Sequence, residues 1–226
     1  MNLHRRDFLC GLAAIAGASA FPGRAAAPVS LASSASSRAQ SSAASLSLAA
    51  PPGWPDRARV MWQDAMAALE RHGPRAARDR LAIADFGAPS AQPRLYLVDL
   101  EAGKFQALHV THGSGSDPRH TGLLQSFSDR PGSNATSQGA FLTRDYYTGR
   151  HGHSQRLEGL DPTNCNALAR AIVLHSAWYA EPDVLARTGK LGRSQGCLAF
   201  SGQDLAQVFG FLGEGRLIYS GKAATA

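Results

Sequence analysis

The sequence has 226 residues, of which 44% are hydrophobic and 18% charged, so it is long enough to bury one good core; we expect a single domain with accessory segments. Its formal net charge is +6, but the arginines are scattered, and no aromatic-and-basic motif typical of nucleic-acid binding is present. The charge therefore indicates solubility or weak attraction to an anionic surface, and we expect no nucleic-acid partner.

The N-terminal segment has the pattern of an export signal. Arg5-Arg6 is followed by an aromatic-leucine step, then by a short apolar stretch diluted with Gly and Ala, and small residues at 25–27 offer a cleavage site. This resembles a twin-arginine signal, with an ordinary secretory signal as the alternative. The apolar stretch is too short for an ordinary membrane span. We predict a signal peptide over residues 1–27, export to the periplasm or cell envelope, and no membrane span in the mature chain.

The next segment, residues 28–53, consists almost entirely of Ser, Ala, Pro and Leu without sustained apolar periodicity. Such a composition does not offset the entropy that ordering costs. We therefore predict a disordered linker over 28–53 and a catalytic domain over 54–226.

The chain has three cysteines, Cys10, Cys165 and Cys197. Cys10 precedes the apolar stretch of the predicted signal, which argues against lipid attachment there. A disulfide between Cys165 and Cys197 stays open for an oxidising compartment; otherwise we expect Cys165 to be a small buried residue.

The first predicted element of the domain is a helix over residues 55–71, which Gly73-Pro74 ends. Its apolar face is predicted from side chains at helical spacing: Val60, Met61, Ala65, Ala68 and Leu69. A second, short helix is predicted over 75–81.

Strands are predicted next. Residues 94–100 and 104–111 are rich in Leu, Val, Tyr and Phe, and the turn at 101–103 indicates a hairpin. The continuous apolar run 171–174 is typical of a strand buried on both faces, and His175 stands at its end.

The last elements are a helix and a strand. Ser201 has the pattern of an N-cap, with Asp204 three residues on and an apolar face behind it, and Gly213 ends the run. A final strand is predicted over 216–220. The fold class is therefore mainly β, with a few peripheral helices that include an N-terminal helical segment.

One segment between the predicted strand and the last helix carries a candidate nucleophile. In it, Cys197 directly follows Gly196, which permits close approach of a substrate backbone. A thiol attacks an amide only as thiolate, so it needs a base, and His175 is the best-placed candidate. Backbone N–H groups at the Gly196-Cys197 turn are suited to an oxyanion. From the residues alone, a buried free cysteine and a core histidine are an equally good interpretation.

Further motifs follow one another in a fixed order: Val98-Asp99-Leu100, Gly103-Lys104, His112-Gly113, Phe127-Ser128, Pro131-Gly132-Ser133, Ser137-Gln138-Gly139, Tyr147-x-Gly149-Arg150-His151-Gly152, Arg156-Leu157-x-Gly159-Leu160, Asn166-x-x-Ala169-Arg170, and Gly192 to Cys197. This order resembles the murein L,D-transpeptidase catalytic-domain family, in the branch with Arg-Ser-x-Gly-Cys in place of the more familiar Ser/Thr-His-Gly-Cys. The resemblance extends from about residue 54 to the C-terminus and implies a β-sandwich-like catalytic domain.

The resemblance also implies a mechanism. It makes Cys197 the acyl-enzyme nucleophile and His175 its general base, with Ser176 at the position whose backbone carbonyl orients the histidine. The implied oxyanion turn consists of the three residues before the nucleophile: Ser194, Gln195 and Gly196. The implied substrate is a peptidoglycan stem tetrapeptide, cut between the diamino acid at position three and the terminal D-alanine. An amine that resolves the thioester gives a transpeptidase and water a carboxypeptidase, with no cofactor and no metal.

Two departures from the family pattern keep an alternative open. Ser176 follows the histidine where glycine is common, and Leu198 follows the cysteine where proline is usual. A catalytically idle murein-binding domain is the alternative that these neighbours leave. We expect a monomer in either case.

Four further residues are candidates for substrate binding: Tyr147, His151, His153 and Arg193. Polar loop positions and a structural arginine are the competing interpretations. A zinc peptidase is disfavoured, because His109 and His112 would point to opposite faces of a strand, and the pair His151 and His153 lacks a Glu or Cys at ligand spacing.

Overall fold

The computed structural model describes residues 49–223. The predicted signal peptide and residues 28–48 of the predicted linker lie outside this part of the chain. Over residues 49–223, no helix has both the length and the apolar character needed to cross a bilayer.

The predicted N-terminal helix is present as α1, Arg59–His72. Its buried face is formed by Met61, Trp62, Ala65, Met66, Ala68 and Leu69. Val60, predicted on this face, is 51% exposed. One residue is about 100° of helical rotation, which turns Val60 away from the Met61 side. The apolar face packs on the strands β1 (Arg80–Asp85) and β8 (Leu217–Gly221).

Trp54, which precedes α1, packs against two aromatic side chains. Its ring lies 4.8 Å from that of Tyr96 and 5.1 Å from that of Phe105, and its Nε1–H donates to the Ala58 carbonyl at 2.9 Å. The indole therefore buries its apolar body while its polar atom remains bonded.

The predicted second helix over 75–81 is wrong. The chain turns there and then enters β1, whose residues from Leu81 to Asp85 are all buried. Alanines favour helix in isolation, but β1 pairs with β2 (Leu95–Asp99) on one side and β8 on the other. Pairing on both edges overrides the weak local preference.

The predicted hairpin is confirmed as β2 and β3 (Lys104–Leu108), paired antiparallel with Asp99 opposite Lys104. The Asp99 carboxylate accepts from the N–H groups of Glu101 and Ala102 at 3.0 and 2.8 Å, which closes the turn.

The strands form an eight-stranded sheet in the order β3-β2-β1-β8-β4-β5-β6-β7. Its remaining strands are β4 (Gly139–Gly149), β5 (Gly152–Gly159), β6 (Val173–Ser176) and β7 (Leu198–Phe200). The pairs β1–β8 and β6–β7 are parallel, and the other pairs are antiparallel. The mainly β fold class is confirmed.

Two helices complete the domain. Pro182–Thr188, α2, was not predicted; it begins with proline at its first position. The predicted C-terminal helix is α3, Gly202–Leu212, and the Ser201 hydroxyl caps it by accepting from the Asp204 N–H at 3.0 Å. Helix α3 packs on β1, β2, β6 and β7, so its apolar face joins the core beside the strands that carry the site.

Candidate active site

A pocket of about 560 Å³ lies where β6 and β7 meet the loops that precede them. It brings together seven of the residues predicted for the site: Tyr147, His151, His175, Arg193, Ser194, Gln195 and Cys197. Ser176 and Gly196 do not line it, but each contacts a residue that does.

The reacting groups predicted from the sequence lie at neighbouring strands. His175 lies in β6, and Cys197 directly precedes β7. The two strands are parallel, with His175 opposite Ala199. Parallel neighbours bring these two side chains to one edge of the sheet. Cys197 and His175 therefore face the same pocket.

The His175 ring is fixed on both sides. Its Nδ1–H donates to the Ser176 carbonyl at 2.8 Å, which leaves Nε2 as the acceptor nitrogen. The His151 ring stacks on it with centroids 4.3 Å apart. Burial lowers the pKa of His175, and the nearby Arg150 charge acts in the same direction. The imidazole is therefore neutral near pH 7 and able to accept a proton.

The Cys197 thiol lies against two backbone groups. Its Sγ is 3.7 Å from the Ala171 carbonyl. Burial raises the pKa of the thiol, while the Val173 N–H and the charges of Arg170 and Arg150 oppose that rise. The resting site therefore holds a thiol beside a neutral imidazole rather than a thiolate–imidazolium pair.

Ala171, the thiol's neighbour, has φ +53, in the left-handed region that non-glycine residues rarely adopt. Such a conformation costs on the order of 1 kcal/mol. The strained turn aims its carbonyl at the candidate nucleophile.

The turn before Cys197 is tied at both ends. The Ser194 N–H donates to the His112 carbonyl at 2.9 Å, and the Ser194 carbonyl accepts from the Ser114 N–H at 2.8 Å. The Ser194 hydroxyl donates to the Cys197 carbonyl at 2.7 Å and accepts from the Gly196 N–H at 3.1 Å. Ser194 thus braces the turn from within.

Gly196 is required by this geometry. Its φ is +114, and a Cβ there would stand 2.7 Å from the Ala135 carbonyl oxygen. Any side chain would have to displace backbone, which explains the glycine before the cysteine.

A buried polar network supports the loop that holds Ser194. Arg94 is fully buried and donates from Nη2 to His112 Nδ1 at 2.8 Å. Its other nitrogens donate to the carbonyls of Val110 and Ala88 at 3.0 and 2.9 Å. Burial lowers the pKa of Arg94 to about 9. Because each guanidinium nitrogen donates to an acceptor, these hydrogen bonds offset the cost of burying the Arg94 side chain in the core.

The far side of the network is Asp117, whose Oδ2 lies 3.4 Å from His112 Nε2. Burial would raise the pKa of this carboxyl, but hydrogen bonds from Thr121 and Gly122 lower it to about 2. Burial lowers the pKa of His112 to about 4. His112 is therefore a neutral link between two charged groups, Arg94 and Asp117. Within residues 49–223, no group of three or more metal-ligating side chains is found.

Three predicted residues have different surroundings from those expected. His153 is not in the pocket; it stacks on Tyr146 at 5.2 Å. Arg193 lines the pocket but is anchored, since its Nη1 donates to the carbonyls of Asp117 and Pro118. Cys165 is exposed, so its predicted burial is wrong.

The pocket is also lined by residues that the sequence did not assign to the site, among them Arg150, Arg170 and Tyr179. Arg170 donates to the Ala135 carbonyl at 2.6 Å and the Ser128 carbonyl at 2.9 Å, and so holds the loop behind Gly196. Arg150 and Arg170 belong to motifs that carry the family resemblance, and those motifs were the sequence signal that could have assigned them to the site. Nothing in the sequence around Tyr179 marks it.

The sheet and the pocket at its β6–β7 end together define a mainly β domain with an enzyme-like cleft. Residues 57–220 match the sequence model of the L,D-transpeptidase catalytic domain. The chain therefore belongs to the L,D-transpeptidase catalytic-domain family, which confirms the resemblance found in its motifs.

Solved structures similar to this chain include L,D-transpeptidases. That from Mycobacterium smegmatis is 15% identical, with 63% of this chain and 58% of that chain covered and a TM-score of 0.39. That from Stackebrandtia nassauensis is 14% identical, with 74% and 69% covered and a TM-score of 0.39. L,D-transpeptidase 3 from Mycobacterium tuberculosis is 12% identical, with 64% and 60% covered and a TM-score of 0.41. The chain thus spans less than two thirds of the length of the first and third of these proteins. No curated protein matches it significantly.

Proposed function

We propose that this protein transfers acyl groups of peptidoglycan stem tetrapeptides through a thioester on Cys197, with His175 as general base. One observation carries the proposal: in a chain of the L,D-transpeptidase family, His175 lies in β6, Cys197 directly precedes the adjacent strand β7, and both side chains line one pocket. We also propose that the protein is exported to the periplasm or cell envelope, because the stem peptides lie outside the cytoplasm.

The first half-reaction forms the thioester. Nε2 of His175 takes the thiol proton as Sγ attacks the carbonyl carbon of the diamino acid at position three. Backbone N–H groups at the braced turn before Cys197 stabilise the oxyanion. The C–N bond to D-alanine then breaks, and His175 returns the proton to the departing amine.

The second half-reaction releases the acyl group. An acceptor amine or water attacks the thioester carbonyl while His175 takes its proton, the C–S bond breaks, and the proton returns to Sγ. The neutral resting pair suits this sequence, since the imidazole is unprotonated before each attack. An amine gives a cross-link and water a shortened tripeptide stem.

Replacing Cys197 with Ala tests the proposal. The variant should lose covalent capture of a carbapenem, seen by intact mass, and lose release of D-alanine from a tetrapeptide. Cys165→Ala is the matched control, because it removes the other described cysteine, an exposed one, and should keep both activities. Retention of both activities in Cys197→Ala would refute the nucleophile.

Product analysis on the unmodified protein separates the remaining alternatives. Masses of cross-linked dimers indicate transpeptidation, and masses of tripeptides indicate a carboxypeptidase. Binding to murein sacculi without acylation or product would instead favour the catalytically idle domain.

A further inference from the structure

The pocket carries positive charge without a carboxylate to balance it. Three arginines line it: Arg150, Arg170 and Arg193. None of the described residues that line the pocket is Asp or Glu. A cleft lined by one sign of charge raises the local concentration of ligands of the opposite sign.

One of the three arginines is already neutralised by the protein. Arg170 and Asp129 form an ion pair at 3.3 Å, and both side chains are largely buried. Its remaining hydrogen bonds go to the loop that it supports. Arg170 therefore has a structural partner for its charge and is not the group that awaits a ligand.

Arg193 differs, because its anchors are neutral. Its guanidinium is fixed by the backbone carbonyls of Asp117 and Pro118, and no ion pair with a carboxylate is found for it over residues 49–223. Neutral acceptors hold the side chain in place without cancelling its charge. A guanidinium held in this way loses little entropy on binding a carboxylate.

Arg150 is also without a carboxylate partner in the described part of the chain; its Nε–H donates to His151 Nε2 at 3.0 Å. It lies in the turn between β4 and β5, close to the reacting groups. Burial raises the pKa of Cys197 and of Tyr179 and lowers that of His175; the Arg150 charge opposes the two rises and adds to the fall. A carboxylate bound to Arg150 therefore lies beside the reacting atoms.

We infer that Arg150 and Arg193 bind carboxylates of the acyl-donor stem. The enzyme therefore selects donor stems in which the carboxyl groups at positions two and three are free rather than amidated. The inference rests on the proposed function. Amidation keeps the shape of the stem and removes the negative charge at these two positions, so the donor then loses the charge-assisted, bidentate hydrogen bonds that those carboxylates would accept from guanidinium groups. Each such contact is worth about 10-fold or more in affinity.

The test compares two tetrapeptides that differ only at these two carboxyls, one free and one amidated at both positions. We measure kcat/KM for D-alanine release with the purified full chain, and the readout is the ratio of the two values. The unmodified protein should favour the free donor by about 10-fold or more. Arg150→Gln and Arg193→Gln should each lower that ratio, and Arg150→Lys should restore part of it.

Arg187→Gln is the matched control, since Arg187 is an exposed arginine of α2 that does not line the pocket. Its ratio should equal that of the unmodified protein. A ratio near one or below one in the unmodified protein, or an undiminished ratio in both Gln variants, would overturn the inference. Turnover of both donors alike contradicts only this selectivity, whereas turnover of neither contradicts the proposed function as well.

Binding provides a second readout that needs no turnover. Cys197→Ala should bind the free tetrapeptide more tightly than the amidated one in calorimetry, and added salt should narrow the difference. Equal dissociation constants for the two peptides would contradict the inference.

Discussion

Mild acid should destabilise this protein through His112. The side chain is 1% exposed, and burial lowers its pKa to about 4, with the Arg94 charge acting in the same direction. In the unfolded chain the pKa returns to its ordinary value of 6.5. Below pH 6.5 the unfolded state therefore binds a proton that the folded state does not, so stability falls from pH 6.5 down to about pH 4.

The magnitude follows from the two pKa values. Their difference corresponds to about 3 kcal/mol near pH 4, of which about 2 kcal/mol accumulates between pH 7 and pH 5. Urea titrations at these two pH values measure the free energy of unfolding. His112→Asn, which keeps a polar group facing Arg94, should show about 2 kcal/mol less pH dependence than the unmodified protein.

The comparison isolates one histidine, because all other titrating groups are common to both proteins. His109→Asn serves as the control for the substitution itself, since His109 is half-buried and lies outside the network of Arg94, His112 and Asp117. An equal loss of stability between pH 7 and pH 5 in His112→Asn and the unmodified protein would refute the assignment of His112 as a buried neutral residue.

Three further predictions concern stability and the nucleophile turn. Gly196→Ala should lower the free energy of unfolding by about 2 kcal/mol or more and abolish carbapenem capture. The reason is that the added methyl group would lie 2.7 Å from the Ala135 carbonyl oxygen. Capture at the rate of the unmodified protein would contradict this prediction. Ser201→Ala should cost about 1 kcal/mol in urea titrations through the lost cap on Asp204, and no change would refute the cap. Asp79→Asn should cost about 1 kcal/mol at pH 7 through its pair with Arg216. That loss should shrink in acid, because the hydrogen bond from Arg216 lowers the pKa of Asp79, and a loss independent of pH would contradict it.

The elements predicted correctly from the sequence are those with local signals. The β2–β3 hairpin has a turn residue sequence of its own, and α3 has its Ser201 cap and an apolar face behind it. Strand β1 was missed because its alanines carry helix preference, and pairing with β2 and with the distant β8 decides its structure. The β4–β5 hairpin was missed because its glycines and polar residues hide the alternation of a strand.

The site divides in the same way. Cys197 and His175 could be named as candidates because a cysteine after a glycine and a histidine at a strand end suit acyl transfer. The residues alone left a buried cysteine and a core histidine equally open, and the family resemblance favoured the catalytic pair. Tyr179 enters the pocket through a short helical turn after β6, and no local pattern predicts that placement. His153 was expected in the cleft, but the register shift in β4 and the alternation along β5 bring it onto Tyr146 instead.

The position of β8 has a consequence for how the sheet assembles. This strand, the last of the eight in chain order, lies in the middle of the sheet, between β1 and β4. Until residues 217–221 pair, the strands β1–β3 and β4–β7 are not joined, and β1 and β4 each have an unpaired inner edge. Unpaired edges are where partly folded chains aggregate. Closure of the sheet therefore depends on β8, and a truncation that removes this strand leaves both inner edges open.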